Sequence, residues 1–293
     1  MTVTRAAHQS DLSHIYEVFY HTEVRGSLQP PPLGEPPAYL HHVLETGTLS
    51  VASQDGAILA YAGAITRGSV TFLTDVFVHP SHQSGHLGKT LLHTVLPADD
   101  LIHCTVSSSD PRALALYIRA GMRPQWPSFA LHLEQPTQEW SLPSPLEVIE
   151  ADQEDAALVE WDARISGRLR PLDHAFWVRE QGAVPLWFRR GDQIVGYGYI
   201  RLLAGTLWHP QACALGPLGV NAAEDAAACT LAAVHWALQH AESLSIEVPG
   251  PHPSLSPLLE GGFRISYVDM FVSSSDTPVF DARCYIPSGG DLF

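Results

Sequence analysis

The 293-residue chain has a single lysine, Lys89, and it lies in VHPSHQSGHLGKTLLHTVL, residues 78–96. A short apolar run breaks there at Pro80 into a small, polar, glycine-bearing loop, and a helix-period pattern follows. A strand that runs through such a turn into a helix leaves several backbone N–H groups unpaired and aimed the same way. The positive end of the helix dipole stands behind them, so the place favours an anion, as a phosphate loop does. His79, His82, His86 and His93 share the stretch, but their spacing fits no standard zinc pattern. The four cysteines, Cys104, Cys213, Cys229 and Cys284, are too scattered for a disulfide framework or a cysteine zinc site. No metal is expected.

The elements that must position this loop read as α/β. TVTRAAH is a strand and DLSHIYEVFYHTEV an amphipathic helix; the proline-rich QPPPLGEPP leads to a second helix, AYLHHVLETG, with Gly47 suited to its C-terminus. Three strands follow, LSVASQ, ILAYAGAITRG and VTFLTDVFV, the first pair joined by the turn signal Asp55-Gly56. After the loop and its helix come a strand LIHCTV, a helix DPRALALYIRAG closed by Gly121, and a strand SFALHLE. The order βααβββαβαβ implies an α/β (α+β) sandwich whose mixed, twisted sheet is mostly antiparallel and flanked by helices.

With these residues in place, VHPSHQSGHLGKTLL resembles the acetyl-CoA-binding motif of the GCN5-related N-acetyltransferase (GNAT) superfamily, Q/R-x-x-G-x-G/A after a strand ending in V-x-P. Gln83, Gly88, Val78-His79-Pro80 and Leu91-Leu92 fall on motif positions, whereas His86 stands at the middle glycine and Gly85 comes one residue early. Glycine lets a backbone approach a pyrophosphate without a Cβ in the way, so His86 bears directly on coenzyme binding. Downstream, DPRALALYIRAGM is similar to the family segment N-x-x-A-x-x-L-Y-x-x-x-G-F, with Asp110 for the asparagine and Met122 for the phenylalanine.

The resemblance implies roles. Backbone around Phe77, Val78 and His79 would hold the thioester carbonyl and the pantetheine arm. Gln83 and the N–H groups of Ser84, Gly85, His86, Leu87, Gly88 and Lys89 would take the pyrophosphate, with Lys89 adding charge, and Asp110 would belong to the coenzyme site. Tyr117 would protonate the departing thiolate, a task that suits a phenol because its acidity is close to that of a thiol. Asp75, three residues before Val78, would be the base for the acceptor amine, directly or through water. Period-2 alternation puts Asp75, Phe77 and His79 on one face and Thr74, Val76 and Val78 on the other, without showing which face meets the substrate.

Length favours two domains at roughly 150 residues each. LEQPTQEWSLPSPLE, residues 133–147, is the boundary region: an N-terminal GNAT domain over 1–137, a linker over 138–145 and a C-terminal domain over 146–293. The second domain reads as a diverged copy of the first. ALGPLGV, ending at Val220, parallels TDVFV, ending at Val78, and LLEGGF, ending at Phe263, parallels YIRAGM, ending at Met122, with separations of 43 and 44 residues. VGYGYI (195–200) parallels the LAYAGAI strand, and SYVDMFVSS parallels SFALHLE. The loop after Val220 has neither glycine nor base, Asn221 and Glu224 suggest an N-cap box, and Leu258 replaces Tyr117. This copy should neither bind coenzyme A nor catalyse, leaving it to shape the substrate cleft or a dimer contact. Its segment WDARISGRLRPLDHAFWV interleaves Arg164, Arg168, Arg170, Asp162 and Asp173 with Trp161 and Trp177, a cluster able to grip an anion, bridge domains or close a helix end with ion pairs. The apolar tail CYIPSGGDLF should dock as an edge strand or across the domain interface.

The formal charge is −15, with 12 acids and 7 bases in residues 1–145 and 19 and 9 in residues 146–293. Without a basic face, nucleic acid is excluded as a partner. Mean hydropathy of +0.02, no apolar stretch of spanning length and an N-terminus without a signal-peptide layout predict a soluble cytoplasmic protein with no membrane partner. The sequence therefore points to a tandem GNAT-type N-acetyltransferase moving acetyl from acetyl-CoA to a primary amine of a small, cationic substrate, by direct attack in a ternary complex. The rival is a non-catalytic acyl-CoA sensor or interaction module on the same fold.

Overall fold

The structure is a computed structural model and describes residues 2–96, 100–134, 140, 146–290 and 292–293. The chain forms two compact units, residues 1–105 with Leu292, and residues 106–291 with Phe293.

In the first unit, strands β1 (Val3–Ala6), β2 (Thr48–Gln54), β3 (Ala57–Arg67), β4 (Val70–Val78) and the start of β5 (Ile102–Ser107) pair in that order. Every pair is antiparallel except β4–β5. Helices α1 (Leu12–Glu23), α2 (Ala38–Thr46) and α3 (Leu87–Val95) pack on this sheet. Their apolar stripes, Leu12, Ile15 and Val18, then Leu40 and Val43, then Leu91, Leu92 and Val95, are buried together with Val51, Tyr61, Ile65 and Phe72. Asp55 and Gly56 both take positive φ, 52° and 86°, as a two-residue hairpin turn with right-handed strand twist demands. Gly47 caps α2, but for closeness and not for handedness. Its φ is −132°, and a Cβ there would lie 2.4 Å from the Ala64 carbonyl oxygen.

Two details of β4 matter for the site. Gly63 pairs with Asp75 and Ala64 with Leu73, so Thr74 is an extra residue, a β-bulge that re-aims the side chains beyond it. The parallel register with β5 covers only Val70–Phe72 against Ile102–Cys104. At Leu73 the Thr105 hydroxyl replaces the main-chain partner, donating to the carbonyl oxygen at 2.7 Å. Among the described residues, no strand pairs with Thr74–Val78 on that side.

In the second unit the helices are α4 (Pro111–Arg119), α5 (Ala156–Ser166), α6 (Pro171–Glu180), α7 (Ala223–Ala237) and α8 (Leu255–Glu260). Its strands are β6 (Arg123–Leu133), β7 (Leu146–Glu150), β8 (Ala183–Arg190), β9 (Gln193–Arg201), β10 (Cys213–Val220), β11 (Leu244–Pro249), β12 (Arg264–Ser273) and β13 (Tyr285–Ile286). They pair in the order β12-β6-β11-β10-β9-β8-β7, with β13 added to β10. β6, the strand that ends the first repeat, lies between β11 and β12, antiparallel to both. The expected linker lies outside the described residues, Trp140 apart. Trp140 is docked: its carbonyl oxygen is 2.6 Å from His235 Nδ1, its ring meets Phe263 edge-on, and a Cβ on Gly261 would fall 2.2 Å from the indole.

The expected cap box of α7 is not formed. The helix begins one residue later, Ala222 is its N-cap with no side-chain bond, and the Asn221 amide oxygen instead accepts from Arg164 at 2.8 Å.

Candidate functional site

The loop after β4 keeps the backbone of a glycine motif without the glycine. His86 is the N-cap of α3 at φ 64°, ψ 2°, the left-handed region, and Ser84 also has φ 69°. Each non-glycine residue held there costs about 1–2 kcal/mol. Strain of this kind clusters at ligand sites. Ser84, Gly85, His86 and Lys89 are exposed, Leu87 and Gly88 half-buried, and no side chain caps α3. Its first-turn N–H groups therefore stand at the positive end of the helix dipole with no protein acceptor from a cap. Two cations flank them. Lys89 is one; the other is Arg25, whose guanidinium donates to Gln83 Oε1 at 3.2 Å. Among the described residues neither cation is in an ion pair. Gln83 in turn donates through Nε2 to the Val78 carbonyl oxygen at 3.3 Å, tying the loop to the strand end.

The main chain of β4 refines the expectation for Phe77, Val78 and His79. The His79 N–H donates to the Leu59 carbonyl oxygen at 2.8 Å, so it is committed to β3. Because an antiparallel ladder alternates, the Val78 N–H points the other way, to the side where β5 no longer pairs. Of the three residues, Val78 presents the donor. The His79 side chain is also occupied: its Nδ1 accepts from the Ser81 N–H at 3.3 Å and lies 2.7 Å from Ser81 Oγ. A backbone N–H can only donate, so a neutral ring carries its proton on Nε2. Burial first, then the neighbouring His21 and His82, pushes the His79 pKa down, which keeps that ring neutral.

Asp75 is buried, and its Oδ1 accepts from two phenols, Tyr39 at 2.9 Å and Tyr61 at 3.1 Å. Phe77 stacks on Tyr61 and meets Phe19 of α1 edge-on, and His79 meets His21 of α1. The face carrying Asp75, Phe77 and His79 is thus the one covered by α1 and the start of α2. Burial and the nearby carboxylate drive the Tyr61 pKa well above its ordinary value, so Tyr61 stays a donor. Tyr39 is half-buried and links Asp75 toward solvent. Arg25, His21, Tyr39 and Tyr61 had not been expected at the site. Arg25 lies 58 residues from its partner, and Tyr61 hides inside an apolar strand.

Tyr117 and Asp110 belong to the second unit. Tyr117 is buried on α4. Asp110 is the N-cap of that helix: its carboxylate accepts from the Arg112 N–H at 2.8 Å and pairs with the Arg112 guanidinium at 2.6 Å. The guanidinium hydrogen bond, above all, holds the Asp110 pKa down. Its carboxylate is thereby engaged within the first turn of α4.

The same positions in the second repeat carry no such equipment. Leu258, opposite Tyr117 in the repeat, is fully buried, and α7 opens with Glu224 and Asp225 in its first turn, Asp225 being paired with Arg190. The arginine-rich segment forms a buried polar centre. Asp162 is paired with Arg170 at 2.7 and 2.8 Å, accepts from Tyr197 at 2.5 Å and lies 3.1 Å from His174 Nε2. The His174 Nδ1 is 2.7 Å from the Tyr199 hydroxyl. The segment thus carries a buried ion pair, Asp162 with Arg170, and both Arg168 and Arg170 also donate to the Phe293 main-chain oxygen. Among the described residues no group of His, Cys, Asp and Glu could hold a metal ion, and no helix is long and apolar enough to cross a membrane.

Residues 12–122 match the model of the acetyltransferase (GNAT) family. In fold, the chain is similar to a protein from Pyrococcus horikoshii described as a candidate acetyltransferase, with TM-score 0.74 and 14% identity over 100% of this chain and 96% of that one. A GCN5-related N-acetyltransferase from Sphaerobacter thermophilus is similar over 93% of this chain and 95% of its own, at 16% identity and TM-score 0.61. A tandem GNAT protein from the clavulanic acid biosynthesis pathway is similar over 95% of this chain and 99% of its own, at 13% identity and TM-score 0.62. At such identities the likeness is one of fold. No curated protein matches the chain.

Proposed function

We propose that this chain, which belongs through residues 12–122 to the GNAT family and has the fold of the tandem GNAT proteins along its length, transfers an acetyl group from acetyl-CoA to a primary amine of a small, cationic substrate. The observation that carries the reading is the loop of the first unit: a strand end with an outward Val78 N–H, two residues in left-handed conformation, an uncapped helix start, and Arg25 and Lys89 beside it.

That arrangement fits a diphosphate. The N–H groups from Ser84 to Lys89 and the two cations hold it, and His86 supplies the backbone conformation that glycine gives elsewhere. The Val78 N–H bonds the amide arm along the edge of β4. The co-substrate supplies an activated acyl group as a thioester.

The acceptor amine must lose a proton before it attacks. Asp75 accepts that proton at its carboxylate, directly or through water, with Tyr39 as the link toward solvent and Tyr61 fixing the oxygen. The amine attacks in a ternary complex. The Tyr117 hydroxyl gives a proton to the departing sulfur; its assignment rests on its spacing behind the loop in the GNAT-like segment.

The test is acetyl transfer to a panel of amines by the wild type, Tyr117→Phe and Asp75→Asn. A lost general acid or base costs on the order of 10²–10⁴ in rate. Each variant should lose turnover on that scale while its acetyl-CoA dissociation constant stays within about threefold of wild type. Full turnover in Tyr117→Phe removes that residue from the mechanism.

A further inference from the structure

The second unit repeats the strand geometry of the first, with one difference. β10 and β11 are parallel and pair only over Cys213–Leu215 against Leu244–Ile246, as β4 and β5 pair only over Val70–Phe72. At the end of β10 the Asn221 N–H donates to the Val195 carbonyl oxygen at 3.0 Å, matching His79 to Leu59. The Val220 N–H therefore stands where the Val78 N–H stands, on the far side of its strand from the hairpin partner. It is taken: Val220 donates to the Cys284 carbonyl oxygen at 2.9 Å, and Gly219 and Leu218 pair antiparallel with Tyr285 and Ile286 of β13.

We propose that the divergence of β10 from β11 is a strand-addition site for an extended amide backbone, and that residues 284–288 of the chain itself are its occupant. The comparison with β4 rests on the proposed coenzyme site; the seat of the segment does not.

Three features show a seat built for this occupant. Gly216, at φ 122°, leaves room for it, since a Cβ there would lie 2.3 Å from the Pro287 carbonyl oxygen. Tyr285, Ile286, Pro287 and Ser288 are all buried. The Tyr285 hydroxyl accepts from both Arg168 and Arg170, and Arg170 also donates to the Phe293 main-chain oxygen at 2.8 Å, while its other side is held by Asp162. Phe293 completes the clamp, stacked on Phe271 with its ring under the Arg168 guanidinium. Displacing residues 284–288 would take the Tyr285 hydroxyl from two buried guanidinium groups, and losing an acceptor for a buried charge is costly in a low-dielectric interior. An extended ligand with amide groups, such as the coenzyme's arm, therefore meets a filled edge in the second unit.

Hydrogen-exchange mass spectrometry of the full chain, with and without acetyl-CoA, tests this. Peptides covering 284–288 should exchange at least about a hundredfold slower than an unstructured chain, and saturating acetyl-CoA should leave them unchanged. Tyr285→Phe, which removes the shared acceptor but no volume, should speed their exchange about tenfold or more while peptides of β4 keep their wild-type rates. Exchange at the unstructured rate in the wild type, or faster exchange of 284–288 on adding acetyl-CoA, overturns the proposal. Failure of the coenzyme site shows separately, as unchanged exchange across residues 83–95.

Discussion

His86 stands where the family motif has glycine, and the structure gives the substitution a physical form. The loop asks for a left-handed backbone, and histidine accepts it at a cost of about 1–2 kcal/mol. His86→Gly should then keep or improve acetyl-CoA affinity and keep or raise the melting temperature, the relief of strain being partly offset by glycine's greater unfolded-state freedom. Loss of coenzyme binding in that variant would show that the imidazole, and not the backbone, is what the loop uses. At this scale the sequence was legible in placement: spacing alone put Gln83, Lys89 and the loop glycines between the end of β4 and the first turn of α3. It was silent where the partner comes from far along the chain. Nothing near Arg25 announces Gln83, and nothing near Tyr39 announces Asp75, because those pairs exist only after α1 and α2 have packed on the sheet.

Among the elements, one small device appears twice. His79-Pro80-Ser81 and His252-Pro253-Ser254 each turn the chain with a histidine Nδ1 accepting from the serine N–H at 3.3 Å and lying within 2.8 Å of its hydroxyl. The second is almost fully buried, and burial lowers the His252 pKa to about 4. An unfolded histidine titrates near 6.5, so as pH falls below that value the unfolded chain takes up a proton that the folded chain refuses. Stability should be flat above about pH 7 and fall by about 3 kcal/mol between pH 6.5 and 4 from this group. Denaturant melts of wild type and His252→Gln across that range check it; equal slopes would remove His252 as the source. Element order was readable from periodicity, and strands β1 to β5 and helices α1 to α4 fall where the pattern puts them. Partner choice was not. The β6 pattern SFALHLE reads the same whether the strand closes the first repeat's own sheet or lies between β11 and β12. Likewise, Gly47 reads as a helix stop, whereas its requirement comes from the Ala64 carbonyl against it.

For the whole molecule, the two repeats have diverged in opposite directions from one strand geometry. The first keeps an outward strand edge, a cationic loop and a buried carboxylate on two phenols. The second has acids at its helix start, Leu258 in place of a phenol, and its own tail on the strand edge. The loss of loop and phenol was visible in the sequence through the repeat anchors. The docking of the tail was foreseen only as an edge strand or an interface segment, because a two-residue strand carries no pattern that names its partner. These differences predict one working coenzyme site per chain. Calorimetric titration of the full chain with acetyl-CoA tests it most directly: a stoichiometry of about one, reduced in affinity about tenfold or more by Lys89→Ala, is the predicted result. Two equivalents would mean that the second strand edge is open after all, and none would contradict the coenzyme site itself.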